Sequence, residues 1–272
     1  MLLKNKKCSN CGAYYDPTLN ECPSCHKTNE LREQRHVPDS IAFFHPIAQI
    51  GIFLAGFAYV GMVIYEIIAA LILKSVSDKN LASALLPLLS YIMMLGALLT
   101  IVFTTRKKAF IDKFKRPFDY LFGLAYAGAI VITGLIIGLI VSQFYKESNV
   151  NQETVVRLVK NYPILAGILI CVLGPICEEL TYRVGLYSFL RRINMYLAMA
   201  VTTIVFALIH FEFGAENIAG ELWSLPSYLV CGLLLSIAYE HRGPACSISA
   251  HMFYNAASMV AIFIRLKYGQ QA

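Results

Sequence analysis

The sequence predicts an all-α, polytopic transmembrane helix bundle preceded by a small cysteine-rich module. Three observations carry this. Of 272 residues, 57% are hydrophobic and only 15% charged, whereas a soluble domain runs nearer about half and about a quarter. The apolar residues gather into runs long enough to span a bilayer, roughly 20 residues each. Four of the eight cysteines sit in a polar head, in two closely spaced pairs. The net charge of +6 lies in loops between apolar runs, as topology determinants do, so the bilayer and not nucleic acid is the expected partner.

Residues 1–46 are polar and rich in Lys, Asn, Cys and Pro. They lack the apolar core of a signal peptide, and Cys8 follows no hydrophobic run as a lipoprotein cysteine would. Within them, Cys8-x2-Cys11, ten residues, then Cys22-x2-Cys25 is the spacing of two thiolate knuckles closing on one tetrahedral metal. Turn residues Asn10, Gly12, Pro23 and Ser24 lie in or beside the pairs. The module is too short to build a core, so metal binding is expected to supply its folding free energy. It resembles a zinc ribbon over residues 8–25, which implies one structural zinc. Rubredoxin-like iron and a pair of disulfides share the spacing. Four thiolates close the site, so a structural or adaptor role is expected, with a cytoplasmic partner for the ribbon as one use. His26 is expected to be a bystander. The expected organisation is a ribbon over 1–30, a linker over 31–46, transmembrane helices over 47–144 and a helix bundle over 160–264.

Seven apolar segments are predicted to span: 47–73, 81–103, 118–144, 162–190, 195–213, 224–240 and 244–264. Splitting one would make eight. The fourth is long enough to bend, at Gly174-Pro175 or Gly185. Alternating the loops from an inside N-terminus puts fifteen Lys and Arg inside against seven outside, so the head and the basic loop Arg106 to Arg116 are expected on the cytoplasmic face. Gly134-x3-Gly138 would let a second helix approach closely. Residues 150–161 are expected along the outer surface, as an amphipathic segment or a polar loop.

Ionisable groups within a span are costly and mark function by default. Glu178 and Glu179 lie in the fourth segment with Arg183. Glu179 and Arg183, four apart, can pair along one helix face, whereas Glu178 points about 100° away and lacks a local partner. His210 ends the fifth segment. His251 and Asn255, four apart in the seventh, address one point, the amide suited to developing negative charge. Counting from the nearest basic loops puts Glu178, His210 and His251 at roughly 20, 27 and 14 Å depth. Convergence therefore needs a kink or re-entrant bend. Glu66, near the outer end of the first segment, is expected to reach the interface.

Glu-Glu-x3-Arg at 178–183, Phe-x3-His at 206–210 and His-x3-Asn at 251–255, in that order on successive apolar segments, resemble the three motifs of the CPBP (Abi, CAAX-protease-like) intramembrane proteases, which include the type II CAAX prenyl endopeptidase. The resemblance covers about 160–264. It implies an intramembrane endopeptidase in which Glu178 activates water, assisted by His210, His251 and Asn255 stabilise the oxyanion, and Glu179 and Arg183 hold the first motif. It also implies a bacterial cell membrane, since ribbon heads occur on bacterial members. The family's Arg is usually followed directly by Gly; here Val184 intervenes before Gly185. Two mechanisms fit: a metal-free Glu–water site, which the Asn–His pair favours, and a zinc bound by Glu178, His210 and His251. The competing functions are a non-catalytic membrane regulator or bacteriocin-immunity protein, and a small transporter or proton relay. The first would leave motif residues dispensable. The second fits poorly with the lack of an inverted repeat.

Overall fold

In the computed structural model, residues 6–15, 19, 21–27 and 44–268 are described. The chain divides into two compact units, 1–38 and 39–272. Most of the expected linker, 31–46, lies outside the described residues.

In the first unit, β1 (Lys6–Lys7) and β2 (Tyr14–Tyr15) pair antiparallel, Lys6 opposite Tyr15 and Lys7 opposite Tyr14. Buried Cys8, Tyr15 and Cys22, with Ala13 and Cys25 against them, form its interior among the described residues.

Proline opens four helices of the second unit: α1 (Pro46–Ser75), α3 (Pro117–Val141), α5 (Pro163–Arg191) and α8 (Pro244–Tyr268). At a helix start its missing N–H costs nothing, and its fixed φ is already helical. Asparagine or aspartate caps the others. Asp78 accepts from the first turn of α2 (Lys79–Asp112), Asn149 from α4 (Val150–Asn161), Asn194 from α6 (Met195–Leu208) and Asn217 from α7 (Ile218–Arg242). All seven apolar segments are helical. Six of these helices are long and apolar enough to cross a membrane. The fifth segment is shorter than expected, because α6 ends at Leu208 after 14 residues, about 21 Å of rise. The sixth is longer, Ile218–Arg242. Residues 150–161 form a helix with Asn151, Val155, Leu158 and Val159 turned inward and Gln152, Glu153, Arg157 and Lys160 outward. Glu66 stays on an exposed face of α1.

Helix α5 is the centre of the unit. Its apolar window is 44% buried, against 11–33% for the other five long helices. It is also irregular. The turns at Leu169–Leu173 and Glu179–Tyr187 widen to π-helix. Pro175 explains the first: it has no N–H and crowds the carbonyl four residues back, and a wider turn relieves both. Around Glu178 and His210 the chain departs from regular α-helix at these turns and at the early end of α6.

Two glycines let α1 lie close on α5. A Cβ on Gly185 would come within 2.8 Å of the Phe53 backbone nitrogen, and one on Gly56 would run into the Thr181 side chain. So Gly185, one residue later than the family pattern, makes a backbone contact. A Cβ on Gly134 or Gly138, by contrast, would meet nothing within 4 Å among the described residues; that motif mediates no close approach there. The aromatic and aliphatic core joins α3, α5, α6, α7 and α8 through Ile130, Tyr182, Phe206, Cys231, Leu235 and Ala250.

Candidate active site

Glu179 and Arg183 have fully buried side chains. The Arg183 guanidinium donates from NH1 to Glu179 Oε1 (2.8 Å) and from NH2 to the Gly232 carbonyl (3.0 Å). Its face lies 4.5 Å from the Phe206 ring centroid. One planar cation thus ties α5 to α6 and α7. A buried charge is tolerable on these terms, because both terminal nitrogens donate and the π face is occupied, although Nε has no hydrogen-bond partner among the described residues.

Glu179 holds a second partner. His251 Nδ1 lies 3.1 Å from the same Glu179 Oε1. A carboxylate only accepts, so Nδ1 carries the proton. In the neutral ring Nε2 is then the lone-pair nitrogen; in the imidazolium both nitrogens donate. Nε2 faces Glu178, with 3.9 Å to Oε2. Glu178 keeps 14% of its side chain exposed, against 0% for Glu179. Its Oε1 accepts from the Tyr91 hydroxyl of α2 at 3.0 Å, and its Oε2 is buried without a hydrogen-bond partner. The first motif's two carboxylates therefore differ in their partners: Glu179 Oε1 meets both Arg183 and His251 Nδ1, Glu178 Oε1 meets Tyr91, and each keeps a buried Oε2 without a hydrogen-bond partner.

His210 lies in the turn just past α6. Its Nδ1 is 2.8 Å from the Phe206 carbonyl; a carbonyl can only accept, so Nε2 is again the free nitrogen. Its ring stacks on Tyr228 at 4.7 Å and 19°. Phe206 sits between the two histidines, 4.9 Å from the ring of His210 and 5.8 Å from that of His251. The His210 backbone carbonyl accepts from Asn149 Nδ2 at 3.5 Å. Around it, buried Glu221 accepts from the Val150 (2.8 Å) and Glu212 (3.2 Å) amides, and Asn149 and Asn151 donate to the Tyr228 hydroxyl.

Asn255 has a structural partner. Its Nδ2 donates to the Ile170 carbonyl at 2.8 Å, inside the first π turn of α5. A widened turn strands carbonyls that regular helix would satisfy, and Asn255 meets one of them. The second amide proton remains. Of the residues predicted from the sequence, Glu178, Glu179, Arg183 and His251 lie in one chain of contacts, with His210 beside it against Phe206; the bordering Tyr91, Tyr228 and Glu221 were not predicted. Two of those are aromatics in apolar helices, indistinguishable by pattern from core.

The second cluster is the cysteine head. The Sγ atoms of Cys8, Cys11, Cys22 and Cys25 all lie within 4.8 Å of one another, with Cys8–Cys25 and Cys11–Cys22 each at 3.6 Å. A disulfide would need about 2.05 Å. Four thiolates about 2.3 Å from one ion stand about 3.8 Å apart. The residues therefore fit a single metal ion. The knuckles match: Gly12 follows the first pair at φ 75° and His26 the second at φ 56°, each donating its N–H to the first cysteine's carbonyl (3.0 and 2.8 Å). His26 fills the left-handed position that Gly12 fills for the other knuckle. Its imidazole turns to Glu21 at 3.0 Å and stays exposed, apart from the four sulfurs. Hydrogen bonding from the Cys11 and Asn10 amides draws the Cys8 thiol down to about 6, while the neighbouring sulfurs push Cys11 up to about 12.

With this geometry in place, comparison with known proteins is decisive for one stretch. Residues 160–257 match the family model for the type II CAAX prenyl endopeptidase Rce1-like proteins. That stretch, about a third of the chain, is similar to this family. The match spans α5 to most of α8 and takes in every residue of the three motifs; Tyr91 and the cysteine head lie outside it. An uncharacterized protein of Mycoplasma capricolum subsp. capricolum is 27% identical over 107 residues, covering 39% of this chain and 30% of the relative's length. No solved structure matches. The six long apolar helices fit a lipid-bilayer environment.

Proposed function

We propose that the protein is an intramembrane endopeptidase that hydrolyses a peptide bond of a membrane-associated or lipidated substrate, with Glu178 as general base. The observation that carries this is the gap between Glu178 Oε2, buried and without a protein partner, and His251 Nε2, 3.9 Å away, a separation one water can bridge. In the proposed step a water O–H bond breaks and its proton passes to Glu178 Oε2. The water oxygen bonds to the scissile carbonyl carbon, and the carbonyl π pair moves onto its oxygen. His210, with Nε2 free, helps to orient the water. The oxyanion takes hydrogen bonds from the protonated His251 Nε2 and the second Asn255 amide proton. Glu179 stabilises the His251 imidazolium through Nδ1. Glu178 then returns its proton to the amide nitrogen as the C–N bond breaks.

The metal-free form of this reading is favoured, because His251 and Asn255, four apart on α8, make chemical sense as oxyanion donors without a metal. In the head, zinc is the proposed ion, given four thiolates at tetrahedral spacing. The N-terminus and the 106–116 loop are assigned to the cytoplasmic face of a bacterial cell membrane, and the ribbon is free to dock a partner there. Domain limits follow as 1–30, 31–46, 47–144 and 160–264.

Two measurements test these assignments. Peptidomics of membranes from the wild type and a Glu178→Ala strain is expected to show a defined set of fragments missing from the variant; identical profiles would reject the endopeptidase. Elemental analysis of purified protein is expected to give one zinc per chain, released together with four titratable thiols on chelation. A Cys8→Ser, Cys22→Ser variant should carry none. Zinc persisting in that variant would point instead to the Glu178, His210 and His251 set.

A further inference from the structure

We infer that Tyr91, outside the Rce1-like match, is a positioning residue that turns Glu178 into a base acting through a single oxygen. The inference rests on the proposed role of Glu178 and names the group that makes that role geometrically specific.

Tyr91 sits in the middle of α2 and meets α5 on one helical face. Its hydroxyl donates to Glu178 Oε1 at 3.0 Å. Its backbone carbonyl faces the Cys177 thiol at 3.6 Å. Its ring end lies over Gly174, where a Cβ would stand 3.6 Å from both Cζ and the hydroxyl. Positions 174, 177 and 178 share a face by the helical repeat, so α2 reads this stretch of α5 directly. The contact fixes the last torsion of the glutamate, which is otherwise broad and roughly two-fold. Without the phenol, either carboxylate oxygen could rotate toward His251. With it, Oε1 is occupied and Oε2 alone is presented at 3.9 Å to Nε2. The hydroxyl keeps its proton throughout; what it supplies is orientation and one charge-assisted hydrogen bond.

The test uses full-length protein in detergent micelles, with an internally quenched farnesylated Cys-aliphatic-aliphatic-X peptide as probe. Tyr91→Phe keeps the ring and removes the hydroxyl. Losing one hydrogen bond to a charged group corresponds to about 10- to 100-fold, expected in kcat with KM within about two-fold for a residue that acts through Glu178. In the Glu178→Gln background the same change should add nothing. A substrate-independent readout is the infrared carbonyl stretch of protonated Glu178, identified by its loss in Glu178→Gln. It is expected to move to higher wavenumber in Tyr91→Phe, and also to shift in protein carrying 3,5-difluorotyrosine at 91, which preserves packing while altering donor strength. An unchanged kcat in Tyr91→Phe, a loss confined to KM, or an unmoved carbonyl band would overturn the inference. Activity retained by Glu178→Gln would instead overturn the base assignment itself, so the two failures are distinguishable.

Discussion

Glu178→Gln is expected to lower turnover by about 10²–10⁴-fold, the range for removing a general base, while the protein inserts and melts as the wild type does. The substitution is nearly isosteric. The glutamine carbonyl can still accept from Tyr91, so the α2–α5 contact survives and the loss isolates proton transfer. His251→Ala should be comparably inactive for a different reason: it removes the group facing Glu178 Oε2 and leaves Glu179 with Arg183 as its remaining ionic partner. Single-turnover cleavage of the farnesylated probe, with KM followed separately, is the measurement. Wild-type turnover in both variants would sink the hydrolytic mechanism and favour a non-catalytic regulator of the same fold.

Arg183→Met is expected to destabilise the membrane unit by about 3–5 kcal/mol, the cost of stranding one partner of a buried ion pair. Three contacts disappear together: Glu179 at 2.8 Å, the Gly232 carbonyl at 3.0 Å and the Phe206 face at 4.5 Å. Because Glu179 also fixes His251, activity should fall with stability. Arg183→Lys should rescue poorly, since an ammonium cannot reproduce the guanidinium's planar two-pronged contact. The double variant Glu179→Gln, Arg183→Met should be less destabilised than Arg183→Met alone, because no unpaired buried charge remains. Reversible unfolding in detergent gives the coupling energy of this cycle. A single-variant loss within about 0.5 kcal/mol would mean that the arginine is not structural.

Several contacts here lay beyond sequence patterning. The Glu179–Arg183 pair was legible because i,i+4 neighbours meet on any helix, and it survives even in the widened turn at 179–187. The Glu179–His251 bond joins residues 72 apart, and only packing decides such a contact. Tyr91 and Tyr228 carry no sequence signal, since a phenol in an apolar helix looks like core until its hydroxyl finds a partner. The glycines teach the same lesson. The periodic Gly134-x3-Gly138 faces open space among the described residues, while Gly56 and Gly185, in no shared motif, let two helices touch.

By itself the sequence determined the helical class, the positions of all seven apolar segments, the cysteine quartet and the ionisable residues of the candidate site. These are local consequences: a backbone in lipid must bond within its own segment, and thiols two residues apart form a knuckle wherever they occur. Tertiary structure alone decided which carboxylate meets His251 Nδ1 and which faces its Nε2, that Asn255 meets a carbonyl in a π turn, and that α2 reaches the centre through Tyr91. Each depends on how helices far apart in sequence come to lie against one another, and no local pattern encodes that distance.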